Sequence, residues 1–337
     1  MIRILYPFFA YLCIAVALCE DAPALQRFAF TEPVMGTTFR VVLYAPNEAA
    51  ARIGARAAFD RIEQLDAMMT DYDENSELMK LCAKAGGPAV KVSDELFDIL
   101  DKARDFNLKT QGAFDVTVGP VVRLWRKARA DGKPPDPANI AKAMELVGAD
   151  KLVLDPKEHT VQLLKSGMKL DLGGIAKGYA VDKALEVLKA KGFIQALVAG
   201  GGDIGLADPP PGKSGWTIDI LPLDKAKRDN PVRLVLKQAG ISTSGDEEQY
   251  LEAAGGKRYS HIVDPRTGKA LEGRSSVTVY APNCTSSDAL AKVGVQGVEA
   301  ALKTIDALPG TAVLFVVEEK DGIKEYASKA WKDVPKK

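Results

Sequence analysis

Met168-Lys169-Leu170-Asp171-Leu172-Gly173-Gly174-Ile175-Ala176-Lys177-Gly178-Tyr179-Ala180-Val181-Asp182 is the stretch on which the reading of this chain turns. The apolar run Met168–Leu172 predicts a short strand, Gly173-Gly174 a turn, and Ile175–Ala176 the opening of a helix that runs to about Lys191. Glycines without a Cβ let another group approach the backbone closely. The free N–H groups at a helix start suit an anion such as phosphate. Asp171 stands just before the turn and Lys177 one helical turn inside it. The same pattern also serves a plain connection whose glycines only permit tight packing, so this stretch alone leaves both readings open.

Around it the pattern is of hairpins and separated helices. Phe28–Val34 and Thr37–Ala45 read as strands joined at Met35-Gly36. Asn47 caps a long helix to about Met69, with Ile53, Ala57, Ile62, Leu65 and Met68 at helical spacing. Thr70–Ser76 is a polar loop, and Ser93 caps a second helix that ends before Gly112. Ala113–Pro120 alternates like a short strand. A helix through Val121–Ala130 carries Arg123, Arg126, Lys127 and Arg129 as a solvated charged face, and Asp136 caps a helix starting at Pro137. Lys151–Leu154 with Thr160–Leu164 form a hairpin. Ile194–Val198, Gly215–Leu221 and Val232–Leu236 are further strands. Gly200–Gly205 opens no helix, which argues against a dinucleotide-binding fingerprint. Tyr250–Ala253 and Arg258–Val263 make another hairpin. Ser276–Tyr280 is a strand, Ser286–Ile305 a helix, and Thr311–Val317 with Gly322–Tyr326 a closing hairpin. This order favours an α+β architecture over a regular βαβ repeat.

At 337 residues the chain has room for about two lobes. Basic and acidic residues balance at 45 each, and no long basic run exists, which argues against a nucleic-acid partner. Residues 1–24 read as a secretory signal peptide, with Arg3 ahead of an apolar run from Ile4 to Cys19 that is short for a membrane span. Val16-Ala17-Leu18-Cys19 resembles a lipobox, so a lipid anchor at Cys19 is the alternative to free secretion. Cys82 and Cys284 are left after processing and read as two buried thiols.

Few residues stand out chemically. His159 falls in the turn Pro156–Thr160, at the surface. His261 enters an Asp264-Pro265-Arg266-Thr267-Gly268 turn and is the near-neutral base of a patterned segment. Such a histidine is more often structural than catalytic. Ser286 or Ser287 caps the late helix, so Asp288 falls in its first turn, where it complements the helix dipole or offers a carboxylate to a hard cation.

Six segments in this order resemble the FAD:protein FMN transferase (ApbE) family: Val34–Thr37, Ala113–Thr117, Asp171–Tyr179, Ser242–Asp246, Ser260–Gly268 and Ser287–Ala291. The resemblance covers nearly the whole chain after residue 24. It implies a two-lobed α+β fold of mixed and antiparallel sheets over residues 25–330, with a ligand cleft between the lobes and a tail at 331–337. It implies that Met35, Tyr72, Ala113, Phe114, Asp115, Asp171, Lys177 and Ile262 line FAD, and that the Gly174 carbonyl and Asp288 hold Mg²⁺ on the pyrophosphate. The implied reaction attaches FMN through a phosphoester to a threonine of an exported or membrane-bound electron-transfer protein and releases AMP, with His261 and Asp288 as catalytic groups. Rival readings are an FAD pyrophosphatase and a non-catalytic periplasmic FAD-binding protein. The family is typically periplasmic or anchored to the inner membrane by lipid, which agrees with the N-terminus.

The chain departs from the family pattern at one position. Four residues after Asp288 the family usually has a threonine that helps bind Mg²⁺, and here stands Lys292. Positions i and i+4 share a helix face. Lys292 either swings to solvent and leaves a weaker metal site, or places its ammonium where the metal would be. A plain surface substitution is the third option.

Overall fold

The computed structural model describes residues 24–224, 228–245, 250–253 and 255–337. The signal-peptide and lipobox readings, with Cys19, and the motif residue Asp246 lie outside the described residues.

A β-hairpin, β1 (Gln26–Val34) and β2 (Thr37–Ala45), leads into α1 (Glu48–Met69). Asn47 caps α1 as expected, its Oδ1 accepting from the Ala50 N–H at 2.9 Å, a contact worth about 1 kcal/mol. The buried face of α1 is Ala51, Ala55, Ala58, Phe59, Ile62, Leu65 and Met69. Ile53, expected on that face, is exposed. Next come α2 (Glu77–Ala83), β3 (Val90–Lys91), α3 (Asp94–Lys109), α4 (Gly119–Asp131) and α5 (Pro137–Met144). The chain continues through β4 (Leu152–Asp155), β5 (Thr160–Leu163), α6 (Ala176–Ala190), β6 (Ala196–Gly200), β7 (Asp203–Leu206), β8 (Trp216–Ile220), β9 (Val232–Leu236) and β10 (Ala239–Gly245). It closes with β11 (Tyr250–Ala253), β12 (Lys257–Val263), β13 (Ala270–Glu272), β14 (Ser275–Ala281), α7 (Cys284–Leu290), α8 (Val298–Asp306), β15 (Ala312–Glu319) and β16 (Gly322–Ala327).

An eight-stranded antiparallel sheet in the order β1-β2-β6-β7-β10-β14-β15-β16 is the frame. Alternate side chains point to opposite faces of a strand, and both faces are covered. Val41, Leu43, Val277, Val279, Val313 and Phe315 pack under α1, α6 and α7. Val42, Ile241, Leu314 and Val316 pack against the β8–β9 hairpin, Trp331 and Val334. Residues 331–337 are therefore not a loose tail: Trp331 and Val334 are buried, and Lys336 bridges to Leu234 in β9. A separate cluster forms the smaller lobe, where Val121, Trp125 and Ala128 of α4 meet Leu251, Val263 and Ala270 of the β11-β12-β13 sheet.

Three expected elements differ. Ala113–Pro120 is not a strand. Asp115 Oδ1 accepts from the Thr117 N–H (2.8 Å) and the Thr117 hydroxyl (2.7 Å), and this local capping coils Val116–Val118 into a 3₁₀ turn. Met168–Leu172 joins no sheet, because its backbone groups are taken locally. The Asp171 N–H donates to the Val116 carbonyl at 2.8 Å, and the Leu170 N–H to the Cys82 sulfur at 3.3 Å. The helix expected over Ser286–Ile305 is broken. It starts at Cys284 under an Asn283 cap, turns 3₁₀ over Ala291–Gln296 and resumes as α8 after Gly297. Asp288 is thus the fifth residue of α7, beyond the first turn. Helix α2 and strands β3, β7, β10 and β13 are not expected from the sequence.

Candidate active site

The start of α6 is where the quoted stretch becomes a site. Gly178 packs so closely on α7 that a Cβ there would stand 2.3 Å from the Cys284 carbonyl oxygen. Asp182, one turn further along α6, accepts from the N–H groups of Cys284 (2.9 Å) and Thr285 (2.8 Å), so one helix caps the other. This junction carries Asp288 against α6, where its Oδ2 accepts from the Gly178 N–H at 3.0 Å. Its Oδ1 accepts from the Lys292 ammonium at 3.0 Å, and the same ammonium donates to Ser244 Oγ of β10 at 2.7 Å. On the other side Lys177 is paired with Asp203, the first residue of β7. The tight β6–β7 turn through Gly201 and Gly202, both at positive φ, presents Asp203 there.

Two carboxylates and two ammoniums thus form a buried quartet. Burial pushes the Asp288 carboxyl up, but Lys177, Lys292 and the Gly178 N–H outweigh it and hold the group below the usual range. Asp203 is pushed up by burial and by the neighbouring Asp288 charge, against the pull of Lys177. Burial lowers Lys177, yet Asp288 and Asp203 together hold its ammonium above the ordinary lysine range.

A second charged group lies at Asp171. Arg126 of α4, expected on a solvated face, instead turns inward and binds both Asp71 and Asp171, the latter at 2.7 Å. Asp171 Oδ1 also accepts from the Gly173 N–H at 2.8 Å, which tightens the Gly-Gly turn. Burial raises the Asp171 carboxyl despite the Arg126 charge. Tyr72, exposed over most of its surface, lays its ring over the Arg126 guanidinium, 4.8 Å from it.

Gly174 joins the two groups. A Cβ at Gly174 would lie 3.2 Å from both Lys292 Cε and Phe114 Cε2. Phe114 is buried edge-on against Phe106, so its ring is a wall of the core rather than an open stacking face. Next to it Ala113 packs with Ile262 of β12 and with Val295. His261, adjacent to Ile262, is half-buried. Asp115 is used up in capping the 3₁₀ turn. Met35 sits at positive φ in the β1–β2 turn, its N–H donating to Asp66 Oδ2 at 3.0 Å. The turn's next residues reach the same region, since Thr37 and the Lys177 stem both flank Gly201. His159 is bound to Asp94 at 2.6 Å, away from these residues, and Cys82 and Cys284 are buried free thiols.

Sequence reasoning gave no site role to Arg126, Asp71 or Asp203, and none to Ser244 although it lies in the Ser242–Asp246 segment. A signal for Asp203 existed: it follows a triple glycine that opens no helix, the mark of a tight hairpin. A surface cavity of about 680 Å³ lies elsewhere, between α3, α6 and α7, and none of the expected site residues lines it.

The family model described as the ApbE family matches residues 35–315. The FAD:protein FMN transferase of Vibrio cholerae serotype O1 is 32% identical, over 94% of this chain and 95% of the relative. That of Treponema pallidum (strain Nichols) is 30% identical, over 90% and 88%. The solved structure of the flavin transferase ApbE from Vibrio cholerae superposes with a TM-score of 0.83 at 30% identity, covering 92% of this chain and all of that one.

Proposed function

The chain belongs to the ApbE family, and we propose that it is an FAD:protein FMN transferase, moving FMN from FAD onto a threonine hydroxyl of an acceptor protein. The threonine oxygen bonds to the FMN phosphorus, the bond from that phosphorus to the AMP oxygen breaks, and AMP leaves. The hydroxyl proton passes to His261 as general base. Little covalent chemistry falls to the protein in such a transfer; positioning and charge neutralisation dominate. Lys177 and Lys292 provide positive charge beside the Gly173-Gly174 turn. Asp171 accepts from a ribose or ring donor. Tyr72 offers an exposed ring for stacking, while Met35, Ala113, Phe114, Asp115 and Ile262 shape the walls. The observation that carries this reading is the convergence of Lys292 and Phe114 on Gly174, with Asp288 against Gly178 one turn on, in a chain matched by the family over residues 35–315.

The resemblance also implies Mg²⁺ held by the Gly174 carbonyl and Asp288. The side chains as folded do not suit it. Asp288 Oδ1 accepts from the Lys292 ammonium, and Oδ2 from the Gly178 N–H. An ammonium cannot ligate a metal and repels it. No step is therefore routed through Mg²⁺.

The acceptor we propose is an exported or membrane-bound electron-transfer protein, and the site of action the periplasm, free or anchored through Cys19. The apolar character of residues 4–19 supports export, and mass spectrometry of the mature N-terminus distinguishes the two forms. No described helix is long and apolar enough to cross a membrane.

Incubation with FAD and a threonine-containing acceptor peptide should give a peptide heavier by FMN, with matching AMP. AMP without labelled peptide means hydrolysis of FAD instead, and intact FAD after long incubation means binding alone. His261→Ala should lower the transfer rate about 100-fold or more while FAD affinity holds. Equal losses in rate and affinity would make His261 a structural residue.

A further inference from the structure

We propose that the Lys292 ammonium is the fixed cation of this site and binds the FAD diphosphate directly, so that nucleotide binding needs no divalent metal. The inference rests on the FAD reading above. Its basis is how the quartet of Lys177, Asp203, Asp288 and Lys292 is layered. The two carboxylates form the floor: Asp288 is 0% exposed and Asp203 3%. The two ammoniums form the lid, with 17% of Lys292 and 25% of Lys177 open to solvent. A quartet with no net formal charge therefore shows its positive half to an arriving ligand. A diphosphate presents oxygens of the opposite sign, and charge-assisted hydrogen bonds to it are strong.

Lys292 is held for that task. Its stem lies on the Gly173-Gly174 turn, where a Cβ at Gly174 would come within 3.2 Å of Lys292 Cε. Its head is fixed by Ser244 Oγ at 2.7 Å and Asp288 Oδ1 at 3.0 Å. The third contact, to the Asp288 carbonyl oxygen at 3.3 Å, is the longest and is the one a phosphate oxygen replaces. Three N–H donors then serve Ser244, Asp288 and the ligand. The lysine neither swings to solvent nor serves as plain surface. A divalent ion at Asp288 would first have to displace this ammonium and would leave it buried without its counter-charge, which is costly.

The test is FAD titration of the whole protein by calorimetry, once in EDTA and once in millimolar MgCl₂. The wild type should bind with dissociation constants agreeing within about twofold in the two buffers. Lys292→Thr should bind about tenfold or more weakly in EDTA and regain affinity with MgCl₂. Thermal melts with MgCl₂ alone should leave the wild type unmoved and raise the Tm of Lys292→Thr. Wild-type binding that requires MgCl₂ overturns this inference and leaves the transferase reading intact. Absence of wild-type FAD binding in both buffers overturns the two together. If Lys292→Thr does not fold, as circular dichroism would show, the wild-type pair of titrations still decides.

Discussion

Asp171 and Asp288 are both buried carboxylates, both accept a backbone N–H from the same glycine-rich stretch, and both face basic side chains. They nevertheless titrate in opposite directions. Asp171 is raised, because burial outweighs an Arg126 that it shares with Asp71. Asp288 is lowered, because Lys177 and Lys292 both act on it. The balance of cations against neighbouring carboxylates, rather than depth, separates the two regions: Asp71 adds to the rise at Asp171, as Asp288 does at Asp203, while Lys177 and Lys292 dominate at Asp288. The Asp171 region retains acceptor capacity for a ligand donor, while the Asp288 region is closed on itself and offers its ammoniums.

The same substitution at both positions is the severest test of that contrast. Asp288→Asn should cost about 3–5 kcal/mol in urea unfolding, because it strands the Lys292 ammonium without its counter-charge. Asp171→Asn should cost only about 1 kcal/mol, because Arg126 keeps Asp71 and the neutral side chain relieves a burial penalty. Equal costs would break the comparison.

Acid titration sharpens it. Asp288, depressed when folded, contributes stability that is present above its ordinary value of 3.8 and lost as pH falls through its lower folded value. Asp171, raised when folded, works the other way: stability drops as pH climbs from 3.8 through its folded value. The wild type should thus gain on Asp288→Asn and lose on Asp171→Asn as pH rises across these ranges. Parallel curves for the two variants would show that this balance of charges does not set the direction.

Tyr72→Ala should have the smallest effect on stability, within about 0.5 kcal/mol, since the ring is 81% exposed. FAD affinity should still fall about three- to tenfold if the ring stacks on the nucleotide. Unchanged affinity would confine Tyr72 to covering Arg126.

Elements whose signals are local were legible in the sequence. Asn47, Ser93 and Asp136 cap the helices they were expected to cap. The β1–β2, β4–β5, β11–β12 and β15–β16 hairpins follow alternation and turn residues. The signals misread were those decided by distant partners. Arg126 looks like one charge in a solvated run, and only the approach of Asp71 and Asp171 turns it inward. Met168–Leu172 alternates like a strand, yet a capped 3₁₀ turn and a cysteine sulfur take its backbone groups. Ser244 is one hydroxyl in a serine-rich strand until Lys292 reaches it. For the site itself, single residues were ambiguous, and six segments in order were not. That order singled out Asp288 and Gly174, which no local pattern distinguishes from an ordinary helix residue and an ordinary turn.

The change of winding after Leu290 carries one more consequence. Asp288 lies in α7 and Lys292 in the 3₁₀ segment that follows, so three small or apolar residues, Ala289, Leu290 and Ala291, act as a ruler between the charges. Adding or deleting one residue there turns the ammonium about 100° around the axis, away from Asp288 and the glycine turn. In a collection of natural variants this segment should therefore accept exchanges of side chain but never a change of length, and an insertion scan should show a sharp gap in tolerance at these three otherwise unremarkable positions.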